Sequence, residues 1–273
     1  MRKILHIKKP SMQANKVVCV NAITSGALLC GLMSILYSAA GNFYWGALLI
    51  LGAMILDGID GTTARLLKAE TLFGAEFDTF VDITAFGIAP AMLVYFYLFH
   101  DFGSALTKAA IHPVGALIAL AIVLSGAIRL ARFKVVDEDH GMSGYTGMPI
   151  TVNALCLAGI VLFIEAWKAK NGWGAAHPLP AWVTLQDGGW LSWLMYINCV
   201  ICLFLQVSPF KYPKPTNTPV GQLIGILAFV GLFIHPKTAV ISCCYLVPVT
   251  LFYIYVAPFW YTLKRRWQEK HAA

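Results

Sequence analysis

Four aspartates crowd one stretch of this chain, DGIDGTTARLLKAETLFGAEFDTFVD over residues 57–82. Asp57 and Asp60 stand at i, i+3 and Asp78 and Asp82 at i, i+4, so each pair shares one face of a helix. Apolar residues flank the stretch on both sides, Ala53–Leu56 before it and Ile83–Phe99 after it. An Asp at the centre of a membrane helix costs at least ~2.5 kcal/mol, so four close together need a partner. A hard divalent cation fits, since Mg²⁺ takes carboxylate oxygens. Gly61 and Ala64 extend the first face without bulk, and Gly74 opens the second. Small residues at a contact let helices approach closely. Arg65, one turn beyond Gly61, is placed to meet a phosphate. The pattern predicts metal-assisted phosphate chemistry. On spacing alone, an ion-transporting carboxylate cluster and a structural salt-bridge network are the alternatives.

The elements that hold these residues must be membrane helices. Of 273 residues, 59% are hydrophobic and 12% charged, against about 25% charged in soluble chains. Apolar runs of the ~20 residues needed to span a bilayer fall at 17–39, 43–67, 72–99, 111–133, 147–167, 190–207, 218–234 and 238–261, the seventh being the shortest. Backbone in lipid must satisfy itself, so all eight are expected to be helices. The expected fold is an all-α polytopic bundle of about eight spans with both termini cytoplasmic.

That orientation places 16 of the 20 Lys and Arg inside, leaving out Lys108, Lys168, Lys170 and Lys237, as the positive-inside rule requires. The net charge of +7 then belongs to the membrane surface. No basic, aromatic-interleaved groove points to nucleic acid. The second span reaches Asp57–Arg65 in its last turns, and Asp78 lies ~9 Å into the third at 1.5 Å per residue. The aspartates are therefore expected near the cytoplasmic interface, whereas transporter sites lie near the midplane. Depth favours an enzyme working at the membrane surface.

Less of the remaining chain carries chemistry. Residues 1–16, basic and interrupted by Pro10, read as an interfacial segment on anionic headgroups. They lack a signal peptide's long apolar core and cleavage site. Seven cysteines, including the formal pair Cys199 and Cys202, lie in apolar spans and read as packing. His100, His112, His177 and His235 fall on the outer side, and Asp137–His140 reads as a solvated loop.

The aspartate stretch resembles the signature of the CDP-alcohol phosphatidyltransferases, D-x2-D-G-x2-A-R-x8-G-x3-D-x3-D. Asp57, Asp60, Gly61, Ala64, Arg65, Gly74, Asp78 and Asp82 fill every fixed position. Asn21 and Thr24 are similar to a pair that the family often places beside the nucleotide, although Val20 replaces the usual Pro. Phe86–Ala91, Arg129–Phe133, Tyr145–Pro149 and Gln206–Pro213 resemble elements of the phosphatidylserine synthases within that family. Lys134, where Asn is common, and Ile150–Asn153 depart from that pattern.

The resemblance covers residues ~20 to ~215 and implies three regions: 1–16, a catalytic membrane domain 17–215, and two further helices with a basic tail over 216–273. It implies transfer of a phosphatidyl group from CDP-diacylglycerol to L-serine. Glycerol 3-phosphate, inositol phosphate or choline is the alternative acceptor, and a cation-coupled transporter the less favoured reading. Two Mg²⁺ or Mn²⁺ ions would sit on Asp57, Asp60, Asp78 and Asp82, with Asp82 also the general base. The four negative charges then balance the four positive ones, leaving Arg65 for the diphosphate. Asn21, Thr24, Gly61, Ala64, Arg65 and Gly74 would bind CDP-diacylglycerol. Arg129, Arg132, Gly147 and Lys211 would serve the acceptor. A homodimer in the cell's inner membrane, its active site facing the cytoplasm, is also implied.

Overall fold

The computed structural model describes residues 12–99, 111–136, 145–169, 190–213 and 219–262. The basic residues 1–11, the 137–144 loop, His100, His177, Lys108, Lys170, Lys214 and the basic tail beyond 262 lie outside the described residues. In chain order the helices are α1 (Met12–Ala39), α2 (Phe43–Leu67), α3 (Leu72–Asp82), a π-helical segment (Ile83–Ile88), α4 (Ala89–Phe99) and α5 (Pro113–Val136). There follow α6 (Ile150–Lys168), α7 (Trp190–Val207), α8 (Pro219–Ile234) and α9 (Pro236–Tyr255). Among the described residues, a two-residue ribbon, β1 (Tyr145–Thr146) with β2 (Lys211–Tyr212), interrupts the helices.

Among the described residues, six helical stretches are long and apolar enough to cross a membrane: Gln13–Ala39, Phe43–Leu67, Leu72–Phe99, Pro113–Val135, Ile150–Lys168 and Pro236–Tyr255. Trp193–Val207 and Leu223–Ile234 are apolar but shorter. The chain is thus an all-α, multi-pass membrane protein. α1 starts earlier than the expected first span, so Met12–Lys16 belong to its first turns. No breaker separates them from the apolar run.

The expected third span is one continuous rod with a changed middle. Pro90 has no N–H to give the carbonyl one turn back, and its ring presses on that carbonyl. The ladder widens just before it, with the Ala89 N–H reaching back to the Thr84 carbonyl. Such π turns cluster at functional sites, and this one begins directly after Asp82.

The core packs α2, the π segment, α4 and α6 around Ile50, Leu51, Phe86, Leu93, Leu157 and Leu162, all fully buried. α1 lies close against it. A Cβ on Gly31 would stand 2.8 Å from the Ala85 Cα, so glycine is what permits this crossing. Ser34 donates to the Gly46 carbonyl at 2.7 Å, tying α1 to α2. At the other end of α4, the Tyr97 hydroxyl donates to Glu165 at 2.8 Å, and Lys168 pairs with the same carboxylate at 3.2 Å.

Candidate active site

Local chemistry sets the hinge between α2 and α3. α2 closes on Lys68 in the left-handed conformation (φ 52°), whose N–H bonds the Ala64 and Arg65 carbonyls. From α1, Gln13 donates to the Lys68 carbonyl at 3.0 Å. Thr71 then caps α3, its hydroxyl accepting the Gly74 N–H at 3.0 Å, which satisfies an orphan donor of the first turn. Beyond the hinge the two helices turn their aspartates toward one another.

Asp57, Asp60 and Asp78 bring carboxylate oxygens to within 4.8 Å of one another. Asp60 is buried, beside the Thr24 hydroxyl, and its Oδ2 has no hydrogen-bond partner among the described residues. Three converging carboxylates with an orphaned buried oxygen repel one another unless a cation sits between them. Oxygen donors in this arrangement fit a hard divalent ion. Asp82, one turn past Asp78, stands outside the 4.8 Å group but within electrostatic reach of Asp57, Asp78 and Asp60. Arg129 of α5 lies within electrostatic reach of Asp82 and Lys134 within that of Asp78, while Lys134 pairs with Glu76 at 2.7 Å.

A cavity of about 260 Å³ opens beside the carboxylates. All six residues expected at the nucleotide lipid line it: Asn21, Thr24, Gly61, Ala64, Arg65 and Gly74, together with Asp60 and Asp78. A Cβ on Gly74 would meet Thr71 Oγ1 at 3.1 Å and Asn21 Oδ1 at 3.6 Å, so bulk there would crowd α1. The Arg65 guanidinium folds back over Gly61, where a Cβ would stand 3.7 Å from Nη1. Val20, Ala69, Glu70, Thr71 and Ala75 complete the lining. Sequence reasoning named Val20 only as the replacement of a Pro and missed the other four, of which Ala69, Glu70 and Thr71 lie in the unspecified x8 gap and Ala75 in the x3 gap after Gly74. Thr71, three residues before Gly74, is the one with a legible signal, as a helix cap.

The residues expected at the acceptor do not line this cavity. Arg129 is buried, 5.5 Å above the Phe133 ring. Arg132 donates to three backbone carbonyls: Val207 at 2.7 Å, Thr146 at 3.0 Å and Ser208 at 2.9 Å. Its guanidinium thus clamps the end of α7 to β1. Gly147 sits in this clamp with φ +77°, its N–H bonded to the Phe210 carbonyl at 2.8 Å. Lys211 stands in β2 opposite Thr146. The clusters at 129–133, 145–149 and 206–213 are therefore one structural unit. Buried Gln206, which accepts from Ser125 at 2.6 Å, is part of it.

Comparison with known proteins follows the same lines. The profile of CDP-alcohol phosphatidyltransferase matches residues 17–204, ending short of the Gln206–Pro213 cluster. A CDP-diacylglycerol–serine O-phosphatidyltransferase of Helicobacter pylori is 35% identical over 222 residues, covering 80% of this chain and 83% of its own. A protein of the same name from Bacillus subtilis is 34% identical over 143 residues, 52% of this chain and 73% of that one. One from Methanocaldococcus jannaschii is 29% identical over 224 residues, 81% and 86% of the two chains. With its aspartates converging beside a small-residue cradle and the family profile spanning most of its length, this chain belongs to the CDP-alcohol phosphatidyltransferase family.

Proposed function

We propose that this protein transfers the phosphatidyl group of CDP-diacylglycerol to L-serine, releasing CMP. The observation that carries the reading is the cradle at the α2–α3 hinge. There Asp57, Asp60 and Asp78 converge within 4.8 Å beside a cavity lined by Arg65 and small residues. A transporter does not need that pairing of carboxylates with a cavity lined by an arginine and small residues. The relatives named for serine, and the clusters on the acceptor side, support the choice of acceptor.

In this mechanism the nucleotide enters the cradle between α1, α2 and α3, and Arg65 pairs with the diphosphate. Asp57, Asp60, Asp78 and Asp82 would hold two divalent cations, Mg²⁺ or Mn²⁺, which supply Lewis-acid stabilisation of the diphosphate charge. The serine hydroxyl attacks the phosphorus that bears the diacylglycerol. A new P–O bond forms to serine, and the P–O bond to CMP breaks. Asp82 takes the hydroxyl proton. Positioning of the hydroxyl contributes most of the activation. Arg129, within electrostatic reach of Asp82, pairs with the serine carboxylate, while Arg132 and Gly147 shape the wall and Lys211 adds positive potential.

The finer topology is part of the same proposal: eight spans, α7 and α8 included, both termini and the active site on the cytoplasmic side of the cell's inner membrane, and a homodimer. The deciding experiment measures CMP release from CDP-diacylglycerol by purified protein with each acceptor in turn. L-serine is expected to drive release, and glycerol 3-phosphate, inositol phosphate and choline are not. Faster turnover with glycerol 3-phosphate or inositol phosphate than with serine would overturn the acceptor assignment.

A further inference from the structure

The cradle contains one ionisable group that the transfer chemistry leaves unused. Glu70 lines the cavity with Arg65, Asp60 and Asp78, yet it is exposed and forms no hydrogen bond or ion pair among the described residues. Its neighbours are all committed. Ala69 is buried with its N–H on the Ala64 carbonyl at 2.9 Å, Lys68 is held by Gln13, and Thr71 caps α3. The backbone that carries Glu70 is therefore fixed from both sides while its carboxylate stays free.

The orientation of a bound nucleotide follows from the charges. The diphosphate belongs at the Asp60–Asp78 end with Arg65, so the base must extend toward the opposite, hinge end. α2 rises ~10 Å from Asp60 to Leu67 at 1.5 Å per residue, about the reach of a nucleoside, and Glu70 lies in the connection that follows and lines the same cavity. A carboxylate is acceptor-only. It therefore suits cytosine, which offers an exocyclic amino donor, and opposes uracil, which presents a carbonyl oxygen at the same position.

We propose that Glu70 is the base-reading residue of this pocket. Its carboxylate accepts a hydrogen bond from the cytosine amino group and so selects a cytidine diphosphate over a uridine diphosphate. The proposal rests on the donor reading given above and adds a specificity-determining residue to it. The selection is both attractive and repulsive: cytosine donates a hydrogen bond to the carboxylate, whereas uracil sets an acceptor against an acceptor. A good base-edge hydrogen bond discriminates by roughly tenfold or more.

The test is isothermal titration of the purified protein, with Mg²⁺ present, using CMP and UMP, the head group of the expected donor and its uracil counterpart. Wild type is expected to bind CMP at least ~10-fold more tightly than UMP. Glu70→Gln, whose amide can accept from cytosine or donate to uracil, is expected to bring the ratio near unity, chiefly by gaining UMP affinity. Glu70→Ala is expected to weaken CMP and leave UMP no weaker. An unchanged CMP-to-UMP ratio in Glu70→Gln overturns the proposal, as does an equal loss of both nucleotides in Glu70→Ala, which would place the carboxylate on the shared ribose. Binding of neither nucleotide by wild type overturns the donor reading as well, and is recognised because it precedes any comparison of variants. Melting temperatures equal to wild type in both variants confirm that the exposed site has been changed without unfolding the hinge.

Discussion

Gly147→Ala probes the join between the catalytic helices and the chain that follows them. Gly147 has φ +77°, where an L residue costs about 1–2 kcal/mol. A Cβ there would also collide with the Gln206 carbonyl oxygen and stand 2.6 Å from Arg132 Nη2. The first obstacle is backbone, so it cannot swing aside, and overpacking of this kind costs roughly 1–3 kcal/mol. Relief requires that β1 and the end of α7 separate, loosening the three carbonyls on Arg132. The combined loss is about 2–5 kcal/mol, which for a chain of this size lowers the melting temperature by roughly 3–9 °C. Thermal unfolding in detergent, followed by tryptophan fluorescence, reads this directly. The control is Gly225→Ala in α8, where a Cβ meets nothing within 4 Å and helix propensity favours Ala by up to ~1 kcal/mol. If Arg132 and Gly147 shape the acceptor wall as proposed, the serine KM rises more than that of CDP-diacylglycerol. A Gly147→Ala protein that melts with wild type and keeps its serine KM would refute both the clamp and the role assigned to it.

Asn at Asp57, Asp78 or Asp82 keeps the side-chain shape but removes charge, and is expected to lower CMP release at least ~10²-fold, equivalent to ~2.7 kcal/mol in barrier. Chelator should abolish wild-type activity and Mg²⁺ or Mn²⁺ restore it; full activity in EDTA would sink the metal assignment. Arg129→Ala is expected to raise the serine KM more than that of CDP-diacylglycerol, and an equal rise in both would move Arg129 from the acceptor to the donor side. In a cysteine-free background, a cysteine probe in the 134–144 loop should label only from the cytoplasm and one at residue 175 only from outside. Labelling of both from one side would break the eight-span arrangement.

Much of the catalytic stretch was legible because its signals are local. The i, i+3 and i, i+4 aspartate pairs, the small residues beside them and the apolar flanks follow from helical periodicity alone, and the structure brings the six expected nucleotide-side residues into one cavity. Thr71 was readable in principle as a cap, whereas Glu70 was not. An exposed Glu in a short connection looks like any solvated residue until the hinge geometry turns it toward the cradle. The π segment was similarly hidden, because Pro90 announces a broken hydrogen bond but not how the ladder absorbs it.

The apolar helices, the crowding of charge at the α2–α3 hinge and the family signature are legible along the chain, since hydropathy, spacing and residue type are properties of residues taken in order. What meets across long separations depends on packing. It set Asp57, Asp60 and Asp78 within 4.8 Å while leaving Asp82 one turn aside, within electrostatic reach of Arg129. It also spent the Arg132 guanidinium on the carbonyls of Thr146, Val207 and Ser208, where sequence had offered it to the acceptor. The physical reason is that a guanidinium's donors go to whichever acceptors the fold leaves unpaired within reach. The end of α7 and a glycine turn supply those acceptors only once residues 75 positions apart have packed together.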